Sequence, residues 1–225
     1  MTQRKIAIWD WPVRLTHWGF ALLIPAMWWT AENGEMGWHM RLGLVLLALV
    51  LFRIFWGFVG SDTARFANFV RSPMAALADL LGRRKQGVNA IGHSPSGAWS
   101  VVFLLTAMLA QVGLGLFAGD PYDGATGPLN SLVGVMTADT LTEWHETFFW
   151  VLVGLIALHL IAVLLYQTIG GQKLVGPMIT GSRASDAPIS GNKGGSAVRA
   201  FACLLLAVAI AGLIGSGLAE QFLSG

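Results

Sequence analysis

Of the chain's five histidines, His145 and His159 carry the most chemical information, because fourteen residues separate them within TEWHETFFWVLVGLIALHLIAVLLY. At about 100° per residue, fourteen steps return a helix to within about 40° of its starting azimuth, so both imidazoles leave one face. At about 1.5 Å per residue they stand about 21 Å apart, most of the way across a hydrocarbon core of about 30 Å. Imidazole ligates metals and also moves protons near neutral pH, so either chemistry is open to such a pair. One helix offering a ligand near each side of a membrane is what two stacked haems require.

The elements that must position these residues are membrane helices. The chain is 55% hydrophobic and only 12% charged, and its mean hydropathy is +0.63, far from the balance of a soluble domain. Ten Trp suit interfacial belts. Five apolar runs have crossing length: 15–31, 38–59, 98–118, 147–167 and 197–218. In lipid each must be helical, because nothing there would satisfy an open strand. The first run contains His17 and no small-residue cleavage site follows it, so it is expected to be a permanent span rather than a signal peptide.

The loops alternate in charge. Arg4, Lys5, Arg14, Arg65, Arg71, Arg83, Arg84, Lys85, Lys173, Arg183 and Lys193 fall to one side. Glu32, Glu35, Asp120, Asp123, Asp139 and Glu143 fall to the other, where Arg41 is the lone cation. The positive-inside rule then puts the N-terminus in the cytoplasm and the C-terminus outside, in a bacterial cytoplasmic membrane. With basic residues sorted by side rather than gathered on a face, and a net charge of only +2, nucleic acid is not an expected partner. Cys203 is the single cysteine, which excludes an intramolecular disulfide, and the absence of C-x-x-C-H excludes a covalently attached c-type haem. The segment 180–195, rich in Gly, Ser and Asn, reads as a tether ahead of the fifth span.

Topology gives the histidines depths. His39 and His145 fall near the outer surface and His17 and His159 near the inner one, so the four pair as two bis-imidazole sites for b-type haem. A lone membrane histidine is as often a satisfied polar residue, and a metal-free proton relay or a copper or zinc site stays open. No Cys or carboxylate shares the inner pair's depth, which disfavours the latter. Arg53 lies fourteen residues after His39, on the same face at the inner depth, where it could meet a haem propionate or quinone oxygen or simply snorkel to the interface. Arg41 is a propionate candidate outside, and Arg65, in GSDTARF, a weaker one inside. Gly43 and Gly154 could let a macrocycle approach the backbone. His93, in GHSPSG, has no depth-matched partner and reads as an interfacial loop residue.

The chain also resembles the bacterial cytochrome b561 family and the related b-type cytochrome subunits of nickel–iron hydrogenases, over roughly residues 8–181. The resemblance is carried by WDWPVRLTHW, HMRLGLVLLALVLFRIFWGFVGSDTARF, GHSPSGAW, HETFFWVLVGLIALHLIAVLLYQ and KLVGPMITG. It implies an all-α integral membrane fold, a four-helix bundle holding two haem b on the residues matching His17, His39, His145 and His159. The domains expected are 1–181 for that unit, 182–196 for a cytoplasmic tether, and 197–225 for an additional C-terminal transmembrane helix that the family core lacks. The implied function is electron transfer between quinone (ubiquinone or menaquinone) and a periplasmic c-type cytochrome or other redox subunit. Two alternatives stand beside it: a superoxide:quinone oxidoreductase, and a haem-bearing membrane anchor of a hydrogenase or molybdoenzyme.

Overall fold

Asp10 starts the first helix: its Oδ1 accepts from Val13 N at 3.0 Å, and Pro12 stands in the first turn, where a missing N–H costs nothing. This computed structural model describes residues 4–82, 92–119, 125–185, 194–219 and 221. The loop charges Arg83, Arg84, Lys85, Asp120, Asp123 and Lys193, and most of the expected tether, lie outside the described residues.

Helix α1 spans Trp11–Glu32 and α2 Met36–Val59. Two short helices follow, α3 (Phe66–Phe69) and α4 (Pro73–Leu80). Ser72 caps α4, its side chain accepting from Ala75 N at 3.3 Å, with Pro73 next. Then come α5 (Pro95–Phe117), a 3-10 turn (Asn130–Leu132), α6 (Val135–Thr168), α7 (Val175–Thr180) and α8 (Ala197–Gly215). Gly181 ends α7 with φ +81°, a conformation that favours glycine. Two four-residue strands, β1 (Arg4–Ala7) and β2 (Ser182–Ser185), pair antiparallel from Arg4↔Ser185 to Ala7↔Ser182. β2 therefore occupies the first residues of the expected tether.

Helices α2, α5, α6 and α8 are long and apolar enough to cross a membrane. α1 has 22 residues, a sufficient length, but is not among them. Its Arg14, His17 and four Trp lower its mean hydropathy, because Trp joins an apolar ring to a polar N–H. The largest departure from the expected spans is α6, which begins at Val135 rather than near residue 147. Its polar start hides a helix from hydropathy, and His145 sits about three turns inside it rather than near its end.

The chain divides into two compact units. One combines Met1–Thr16, Arg53–Leu104 and Ile156–Cys203. There Ile8 N and Trp9 N both donate to Gly181 O, at 2.8 and 3.1 Å, and Thr63 Oγ1 donates to Ile8 O at 2.7 Å. Trp56, 1% exposed, donates Nε1–H to Asp10 Oδ2 at 2.8 Å, so one carboxylate both caps α1 and fixes a core ring. Asp79 Oδ2 accepts from Ser96 N at 3.2 Å, tying α4 to the start of α5. The α8 residue Arg199 donates to Val59 O at 2.9 Å.

The other unit combines His17–Phe52, Leu105–Leu155 and Leu204–Gly225. Leu46, Leu47 and Val50 of α2 are buried in it. Gly19 of α1 packs on Leu49, and Gly215 of α8 on Leu44, where an added Cβ would stand 2.5 Å from Cδ1. The fifth long helix is thus seated on α2 within each unit.

Candidate metal centre

His39 and His145 meet. Their ring centroids lie 6.1 Å apart, with planes nearly perpendicular at 87°. His39 Nδ1 pairs with Met27 O of α1 at 2.9 Å, and His145 Nδ1 with Gln111 O of α5 at 2.9 Å. A carbonyl can only accept, so both Nδ1 atoms donate, which in a neutral imidazole leaves the lone pair on Nε2. Within this unit α2 and α6 supply the imidazoles while α1 and α5 supply the carbonyls that orient them.

Gln111, 7% exposed, strengthens the arrangement. Its Nε2 donates to His145 O at 2.9 Å; Nδ1 is already a donor and cannot accept from the same amide. Gly115, one turn further along α5, lets that helix pass the ring: a Cβ there would lie 2.8 Å from His145 Cε1. Sequence reasoning missed both residues. Gln111 had a usable signal, since a carboxamide inside an apolar span is costly unless bonded. Gly115 had none, being one glycine among 28.

These residues fit an axially ligated haem. Metal–imidazole nitrogen distances of about 2 Å on either side of one atom put ring centroids about 6 Å apart. Ligating histidines characteristically give their other N–H to a carbonyl, as both do here. Among the described residues no three His, Cys, Asp or Glu come together as a metal-holding group. Two facing imidazoles complete the coordination only of a metal that brings its other ligands with it, as a porphyrin does.

His159, in the first unit, has Ser100 Oγ 3.4 Å from its Nδ1. His17, in the second, stacks edge-on with Trp18 at 5.0 Å. Arg53 is 4% exposed; it donates to Ala64 O at 3.4 Å and lies 5.3 Å over the Phe66 ring. It is buried, not snorkelling. Arg41 is exposed and stacks 5.3 Å over Trp38. Arg65 pairs with Asp62 beside it in the chain, which engages its guanidinium locally. An added Cβ at Gly154 would meet nothing within 4 Å, while at Gly43 it would touch Met27.

His93 lies in the loop just ahead of α5, packed rather than bare. Trp9 and Phe69 flank its ring with centroids at 4.6 and 4.5 Å. The residue is partly exposed, yet its Nδ1 is buried without a partner among the described residues. Burial, assisted by the Arg53 charge, pushes its pKa down to about 3.

A helical membrane chain with facing, carbonyl-anchored imidazoles has the build of a b-type membrane cytochrome. The family model described as prokaryotic cytochrome b561 matches residues 8–181, and the chain belongs to that family. It is an integral membrane protein of b-type haem electron transfer. Similar chains include a probable Ni/Fe-hydrogenase B-type cytochrome subunit of Azotobacter chroococcum mcd 1, 26% identical over 216 residues covering 80% of this chain and 89% of that one. The protein of the same description in Bradyrhizobium diazoefficiens is 22% identical, covering 79% and 85%. That of Azotobacter vinelandii is 26% identical, covering 80% and 89%. No solved structure matches the chain.

Proposed function

We propose that the chain carries two b haems, one on His39 and His145 and one on His17 and His159, and passes electrons between the quinone pool and a periplasmic redox partner. The observation that carries this is the outer pair: two imidazoles 6.1 Å apart, each with Nδ1 committed to a backbone carbonyl. The inner pair rests on the fourteen-residue spacing within α6, which is uninterrupted from Val135 to Thr168, and on the depth of His17 in the first span.

Bound haem supplies a one-electron ferric–ferrous couple. The chain's own work is to hold each imidazole in one tautomer and orientation, to exclude water, and to set the local field. Arg53 is the candidate partner for an acidic group or quinone oxygen on the inner side, Arg41 on the outer, with Arg65 the weaker inner candidate. We place the protein in the bacterial inner membrane with a cytoplasmic N-terminus and periplasmic C-terminus. Residues 1–181 form the haem unit, 182–196 the tether and 197–225 the additional span. The names of the relatives favour a second version of the same reading, in which the partner is a hydrogenase and the chain anchors and wires it to quinone.

Pyridine haemochrome analysis of the purified protein is expected to give two haems per chain. His39→Ala or His145→Ala should remove the outer one alone, and His17→Ala or His159→Ala the inner one alone. Two low-spin haems surviving in all four variants would overturn the ligand assignment.

A further inference from the structure

We propose that the hairpin joining α1 to α2 holds one phospholipid with an ammonium headgroup, of the ethanolamine kind, in the cleft between Trp29 and Trp38, with the ammonium on Glu35. This goes beyond the electron-transfer reading. It depends neither on the ligand assignment nor on which side of the membrane the hairpin faces.

The cleft measures about 370 Å³, a size suited to a small molecule or part of a larger one, and is lined by Ala26, Trp29, Thr30, Glu35, Trp38 and Leu42. All six belong to one compact unit. A tight turn frames it: Gly34 has φ +71°, and Glu35 N donates to Thr30 O at 2.8 Å. Of its polar side chains, Thr30 is already engaged, 5% exposed and donating Oγ1–H to Met27 O at 2.9 Å. Glu35 is exposed, and among the described residues nothing pairs with its carboxylate. Trp29 and Trp38 are 59% and 56% exposed, and among the described residues neither indole N–H has a partner. Two indole rings beside an unanswered carboxylate attract a cation, through the ring quadrupole and through charge.

The order of groups along α2 says which cation. Glu35 stands at the turn, at the membrane surface. Arg41, about 9 Å further in, is exposed and stacks 5.3 Å over the Trp38 ring. Leu42 follows, and it lines the cleft with Ala26 as an apolar floor. From the surface inward the hairpin therefore presents a negative group, a positive group and hydrocarbon. A zwitterionic phospholipid presents the complement in the same order: ammonium, phosphate, acyl chain. Exposed Trp rings also sit by preference at headgroup level. An anionic headgroup without an ammonium would bring no positive charge to Glu35. A lysine from a protein partner would answer Glu35 but leave Arg41 and the apolar floor without a complement.

The lipid would bridge two helices that the protein joins nearby through the bond between His39 Nδ1 and Met27 O. Because it binds the folded hairpin and not the unfolded chain, its occupancy adds to the stability of the fold.

Native mass spectrometry of the purified, haem-loaded protein tests this, after delipidation in detergent and titration with phosphatidylethanolamine or phosphatidylglycerol of the same acyl chains. One retained ethanolamine lipid per chain is expected, held in preference to the glycerol lipid. Glu35→Gln should weaken it about fivefold, the upper end for an exposed ion pair, without weakening the glycerol lipid. Trp29→Leu should weaken it by about three- to fivefold, the worth of one cation–ring contact. Glu35→Lys should invert the preference. The haem spectrum and the thermal unfolding midpoint of each lipid-free variant show that it is folded. Equal retention of the two lipids by the unaltered protein, or a preference that Glu35→Gln and Glu35→Lys both leave in place, overturns the inference. So does a Trp29→Leu protein that keeps its lipid but loses affinity for a basic c-type cytochrome, because the cleft would then hold a protein's cation.

Discussion

Gly115 sets how closely α5 passes the His145 ring. A methyl group there would stand 2.8 Å from Cε1 and 3.1 Å from Nδ1, and the ring cannot retreat without leaving Gln111 O. Gly115→Ala should therefore weaken haem retention at the outer site by about 10–100-fold, the usual cost of disturbing the groups that orient a ligand. The check is a haemochrome yield that falls toward one haem per chain during dilution, with the inner spectrum unchanged. His93 makes a different prediction. Its folded pKa of about 3 lies below the ordinary 6.5, so between those values the unfolded chain binds a proton that the folded one refuses. Stability is complete above about pH 6.5 and declines as pH falls toward 3. His93→Phe keeps a ring between Trp9 and Phe69 and should flatten that slope. Thermal unfolding in detergent from about pH 7.5 down to about 5 would show it; equal slopes in both proteins would refute the assignment.

Among the elements, apolar runs were legible and polar helix ends were not. The sequence expectation for α2 begins two residues late, at 38, because the run itself is continuous and apolar. For α6 it begins twelve residues late, because TADTLTEWHET is polar along a helix that continues past the hydrocarbon. β1 and β2 were illegible for another reason: RKIA and SRAS are too short to show alternation, and they pair across most of the chain. At the candidate site, the meeting of His39 with His145 was readable from their matched depths, whereas their carbonyl partners were not, since a backbone acceptor leaves no mark on sequence. The seating of α8 was not readable: Gly215 packs on Leu44, while a Cβ added at Gly212 in the same run would meet nothing within 4 Å. In the proposed orientation α8 crosses outward, held at its inner end by Arg199 on Val59 O. A reporter fused after Gly225 should then score as periplasmic, and one inserted in 186–193 as cytoplasmic. A cytoplasmic score at both positions would mean that α8 does not cross.

The whole molecule carries a charge pattern that separates its candidate partners. In the proposed orientation the outer face bears Glu32, Glu35, Asp139 and Glu143, together with Asp120 and Asp123 beyond the described residues, against Arg41 alone. Of these, Glu32, Glu35 and Glu143 are exposed, so their field reaches solvent. Such a surface repels a small anion such as superoxide and attracts a basic protein. Steering of this kind changes association by tenfold or more at low salt and fades as salt rises. A basic c-type cytochrome should therefore exchange electrons with the outer haem at a rate that falls steeply with ionic strength. Glu35→Gln with Glu143→Gln should lower the low-salt rate and flatten the dependence, leaving the high-salt rate near its original value. Neither residue ligates the metal, so haem content should not change and can be checked on the same samples. Stopped-flow haem reduction reads all of this directly. A rapid reduction by superoxide that those substitutions leave untouched would instead favour the superoxide:quinone oxidoreductase. Arg41, exposed beside Trp38 and two residues from His39, would then be the cation guiding the anion inward.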